Sequence, residues 1–93
     1  MNDETAIPAF AVGVKFRFDT LRKAWVVLAP ERLFLPDEQA VEILQLVDGA
    51  RSLGVIIDGL ATRFNASRDL IAGDVVTMMK DLADKGVVRW SAQ

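Results

Sequence analysis

The 93-residue chain contains no cysteine, no histidine and no tyrosine. Those three absences remove thiol nucleophiles, disulfides, the common zinc-ligand sets, the usual imidazole base and the usual phenolic acid. Only Ser52, Ser67 and Ser91 offer a serine hydroxyl. No local motif supplies any of them with a base, and helix capping accounts for the first two. No catalysis, no metal site and no cofactor is therefore expected. Charge of one sign is also scarce: 11 lysines and arginines stand against 13 acids, a net charge of −2. A broad cationic field that would draw in a nucleic acid backbone or an anionic membrane is absent. No apolar run approaches the roughly 18 residues a membrane span requires. The start, "MNDETAIPAF", has acids where a signal peptide needs a basic segment. The expected location is the cytoplasm.

What is present is apolar: 52% of the residues are hydrophobic, enough for one core without a covalent or metal staple. We expect a flexible N-terminus over residues 1–7, entered stiffly through Pro8, and a single domain over 8–93. In "VKFRF", Val14, Phe16 and Phe18 fall on one side of a strand, while Lys15 and Arg17 fall on the wet side. "AWVVLA", Ala24 to Ala29, is apolar on both faces, and the intervening "DTLRK" turns the chain back as a hairpin lacking glycine. "RLFL", Arg32 to Leu35, follows as a short third strand between Pro30 and Pro36. Three large apolar residues in a row cannot all face one way in a strand, so the run is greasy on both sides.

After Leu35 the apolar period changes from two to about 3.6. Asp37 caps a first helix lined by Ala40, Val41, Leu44 and Val47 and stopped by Gly49. Ser52 caps a second, with Leu53, Ile56, Ile57, Leu60 and Phe64 on one stripe, ending near Asn65. Ser67 caps the third, which runs to about Lys85 and ends at Gly86; "VVRW" then returns to the sheet as a brief strand. On a wheel of about 100° per residue, Ile71, Val75, Met78, Met79, Leu82 and their neighbours fill an arc of roughly 160° on the third helix, against the roughly 100° that core packing requires. The expected class is α+β: a winged helix-turn-helix-like three-stranded antiparallel sheet followed by three helices and a short C-terminal strand.

Strand three and helix three thus carry surplus apolar surface, and side by side they would bound a groove. An extended guest peptide could add a strand along residues 32 to 35 and rest its side chains on the third helix. Three apolar anchors and two or three edge hydrogen bonds give roughly 7–12 kcal/mol gross. Ordering the peptide and associating the two chains bring this to micromolar affinity at best. Two plainer readings stand beside it: ordinary core, and self-pairing of the open edge into a homodimer.

The ordered series Pro8, Gly13 with Val14, Asp19, Leu28, "PE" at Pro30 and Glu31, "IL" at Ile43 and Leu44, "DG" at Asp48 and Gly49, and "DV" at Asp74 and Val75 resembles the PqqD family across nearly the whole chain. The resemblance implies a non-catalytic peptide chaperone of pyrroloquinoline quinone (PQQ) biosynthesis, a recognition domain for ribosomally synthesised, modified peptides. It implies as partners the precursor peptide PqqA and the radical SAM enzyme PqqE, which joins a glutamate and a tyrosine side chain of that peptide. It also points to Arg32, Leu33, Phe34 and Leu35 for backbone pairing, and to Ile71, Val75, Met78, Met79 and Leu82 for the helix wall. Pro36 departs from the family's usual pattern and implies one pairing bond fewer. A winged-helix DNA-binding regulator and a structural dimerisation domain are the alternatives from other classes. The four aspartates on helix three, against Arg68, Lys80 and Lys85, count against the first.

Overall fold

In the computed structural model, which describes residues 4–91, the chain forms β1 (Ile7–Phe10), β2 (Lys15–Asp19), β3 (Ala24–Ala29), β4 (Arg32–Phe34), α1 (Glu38–Leu44), α2 (Leu53–Phe64), α3 (Arg68–Asp84) and β5 (Val88–Ser91). β2, β3 and β4 make an antiparallel sheet in that order. Its register sets Phe16 opposite Val27 and Val27 opposite Phe34, so these three share the face that packs on the core. Lys15, Arg17, Val26, Leu28 and Leu33 take the other face by the same pairing. Asp19 makes the first turn possible without glycine: its Oδ1 accepts from the backbone N–H groups of Leu21 and Arg22 at 2.9 and 3.1 Å, and Lys23 takes a positive φ of 55°. The second turn has only Pro30 and Glu31 between paired Ala29 and Arg32. Proline followed by a residue at φ 61° is the backbone signature of a type II turn.

The last strand does not return to this sheet. β5 pairs instead with β1, Ile7 opposite Ser91 through Phe10 opposite Val88, as a separate two-stranded ribbon. β1 was not expected from the sequence, where Pro8 read as a stiff entry to the domain; a proline is admissible there because β5 is the only strand that pairs with β1 among the described residues. Stacked rings of Phe10, Phe16 and Trp25, with centroids 5.8 and 4.7 Å apart, join the ribbon to the hairpin. Ahead of β1, residues from Glu4 onward contact the start of α2. The carbonyls of Glu4 and Ala6 accept from Gly54 and Leu53 at 2.8 Å, serving the free N–H groups of the first turn of α2. Arg68 then clamps Glu4 at 2.6 Å and Asp58 at 2.5 Å. Residues 1–3 lie outside the described residues.

Asp37 and Ser52 cap their helices through side-chain oxygens, accepting from Ala40 at 2.8 Å and Val55 at 3.2 Å. Ser67 stands at the third N-cap without a side-chain hydrogen bond, and serves by its carbonyl, which accepts from Ile71 at 3.1 Å. α1 ends at Leu44, short of the expected stop at Gly49, because the chain tightens to i−3 bonds from Leu46 to Ile43 and from Val47 to Leu44. That tighter turn still buries Val47. The core brings Ile43 and Leu44 of α1, Ile56, Ile57 and Leu60 of α2, and Val75 and Met79 of α3 against Val27 and Val87. No helix among the described residues is long and apolar enough to cross a membrane.

Candidate peptide-binding site

β4 pairs with β3 and with no other strand among the described residues. Which of its backbone groups point outward follows from the turn. A loop of two residues closes on a hydrogen-bonded pair, here Ala29 with Arg32, and such pairs alternate along an antiparallel ladder. Arg32 and Phe34 therefore spend their N–H and C=O groups on Ala29 and Val27, while the backbone of Leu33 is turned to the open side. Leu35 lies past the last ladder pair, and Pro36, with no N–H, ends the edge. Leu33 and Leu35 are 41% and 64% exposed.

A cleft of about 240 Å³ opens beside this edge. Phe34, Leu35 and Pro36 form one wall, Ala40 and Leu44 of α1 the floor, and Met78 and Leu82 of α3 the far wall. The short link from Phe34 to Glu38 explains why α1 contributes: Asp37 is already its cap, so the helix must start beside the strand edge. Sequence reasoning left Ala40 and Leu44 in the core alone, although the two-residue spacing between Leu35 and the Asp37 cap carried the signal. The rim is mixed in charge, with Asp37, Asp81 and Lys85. Lys85 is held by Asp81 at 2.8 Å. Arg32 ties strand to helix end by donating to the Lys85 carbonyl at 2.7 Å, and its guanidinium lies 4.9 Å from the centroid of the Phe34 ring.

The five helix-wall residues do not share one surface. Met78 and Leu82 line the strand-side cleft. Ile71 and Val75 line a second cleft, of about 340 Å³, between α1, α2 and α3. Met79 and Val75 are 0% and 1% exposed and pack in the core. The apolar arc of α3 is continuous on the wheel, but α1 lies across it and divides it in two.

The chain matches the family described as coenzyme PQQ synthesis protein D (PqqD) over residues 24–88. A relative called PqqA binding protein from Rhodopseudomonas palustris (strain BisB5) is 58% identical over 83 residues, 89% of this chain and 81% of that protein. A bifunctional coenzyme PQQ synthesis protein C/D from Methylorubrum extorquens is 39% identical over 88% of this chain, which spans 22% of that longer protein. The solution NMR structure of the PqqD truncation of Methylobacterium extorquens PqqCD represents a functional, stand-alone recognition element for ribosomally synthesised, modified peptides. It superposes with a TM-score of 0.78 at 36% identity, over 96% of this chain and 95% of that one. A crystal structure of PqqD from Xanthomonas campestris gives 0.56 at 35% identity, over 91% and 94%. The order of sheet, three helices and final strand and the identity along most of its length lead to one assignment: this chain belongs to the PqqD family.

Proposed function

We propose that this protein is a non-catalytic recognition domain that binds the PqqA precursor peptide as an added strand on β4 and presents it to the radical SAM enzyme PqqE, in the cytoplasm. The observation that carries this reading is the outward backbone of Leu33, next in the chain to Phe34, Leu35 and Pro36, which line the cleft shared with Met78 and Leu82 of α3. A guest strand gains main-chain bonds from such an edge and side-chain contacts from alternate residues seated on Phe34, Met78 and Leu82. Binding raises the concentration of the peptide at its enzyme without a new catalytic group, in keeping with a chain that offers no thiol, imidazole or phenol. Family membership supports the same partner, since relatives carry the name PqqA binding protein.

The test is isothermal titration calorimetry with synthetic PqqA, followed by cross-link formation by PqqE with and without this protein. The reading expects a one-to-one complex with a micromolar dissociation constant and a faster cross-link. Absence of binding at several hundred micromolar peptide overturns it.

A further inference from the structure

We infer that the cleft between α1, α2 and α3 is a second docking site, which takes a segment of another protein carrying a large apolar side chain beside lysine or arginine. The cleft, about 340 Å³, has an apolar floor made by Ile43, Leu60, Ile71 and Val75, with Phe64 at its mouth. Phe64 is 50% exposed, so part of its ring is available to a guest beside the Arg63 guanidinium that lies over it. The charged residues lining the cleft are all acids: Glu38, Glu42 and Asp74. Arg63, which borders the cleft through Glu42 and Phe64, is already engaged. It lies 2.5 Å from Glu42 Oε1 and 5.3 Å from the centroid of the Phe64 ring. Glu38 and Asp74 have no ion-pair partner among the described residues. Asp74 meets only the neutral Gln39 amide, which donates to it at 3.4 Å.

An apolar floor beside two acids, Glu38 and Asp74, that have no ion-pair partner among the described residues favours a basic, apolar-anchored segment and repels an acidic one. The rim of the strand-side cleft is different, with Lys85 set against Asp37 and Asp81. The two clefts share no lining residue: α1 turns Glu38, Gln39, Glu42 and Ile43 to this one and Ala40 and Leu44 to the strand-side one. The inference goes beyond the strand-addition reading and does not require it.

The test titrates the isotope-labelled full chain with two short synthetic peptides, one with a tryptophan between lysines and its counterpart with the tryptophan between glutamates. The lysine peptide is expected to shift the amides of Gln39, Phe64, Ile71 and Asp74 and to bind about tenfold tighter at low salt, the preference shrinking as salt is added. Asp74→Lys should abolish the preference; Asp74→Asn, which keeps a partner for Gln39, should reduce it. Equal binding of the two peptides, shifts centred on β4 instead, or an undiminished preference in a folded Asp74→Lys variant overturns the site.

Discussion

Leu33→Pro separates an edge that pairs with a guest from one that merely lies near it. The substitution removes an N–H that the β4 register turns away from β3, and proline is tolerated at an edge position whose N–H faces solvent. The β3–β4 ladder should survive. Leu33 can exchange two bonds with a guest strand, one through its N–H and one through its C=O, and proline deletes the first. At about 0.5–1.5 kcal/mol for one net hydrogen bond, peptide affinity should fall about 2- to 13-fold relative to Leu33→Ala. The alanine control accounts for the lost side chain, which is 41% exposed. Phe34→Pro is the contrasting variant: it strikes the ladder bond to Val27, so it should lower the melting temperature rather than report on binding alone. Fluorescence anisotropy of labelled PqqA measures the first effect, and circular dichroism melts monitor the fold. A folded Leu33→Pro protein that binds PqqA as well as Leu33→Ala does would refute the strand-addition geometry.

Three further outcomes follow from the packing and the charges. Met79→Ala empties a site with 0% exposure and should cost about 2–5 kcal/mol, lowering the melting temperature by roughly 10 °C or more in a domain of this size. Asp37→Ala removes the side-chain cap on the Ala40 N–H and should cost about 1 kcal/mol, seen as a drop of a few degrees in the same melt. The third is a pH dependence. Hydrogen bonds from Arg68 hold the Glu4 carboxyl below its ordinary 4.5, and the backbone N–H of Arg22 and that of Arg51 lead in holding Asp19 and Asp48 below their ordinary 3.8. Depressed folded values mean that the stability from these groups is complete above the ordinary carboxylate range and is lost as pH falls through the lowered values. Melts should therefore be flat from about pH 7 to 5 and decline below about pH 4, with a shallower acid decline in Arg68→Gln.

Elements with a local chemical cause were legible in the sequence. Asp37 and Ser52 announced their helices because a short side-chain oxygen just before an apolar period has an unpaired N–H to satisfy, and the alternation in "VKFRF" marked the wet face of β2. What depended on distant parts of the chain was not. β1 is four residues with a proline inside, and only its partner β5 at the other end of the chain makes it a strand. A helical wheel counts apolar residues without knowing what lies across them, so Ile71 and Met78 read as one wall although α1 separates them. The outward direction of the Leu33 backbone needs the two-residue turn at Pro30 and Glu31, and that turn rests on a positive φ at Glu31 that its residue type does not advertise.

Amide hydrogen exchange at two adjacent positions of β4 tests the central claim most directly. In the free protein the Phe34 amide, bonded to Val27, should be protected while the Leu33 amide exchanges as an open edge; saturating PqqA should slow exchange at Leu33 and leave Phe34 little changed. A Leu33 amide already protected without peptide, or one still exchanging freely in the saturated complex, would contradict the account.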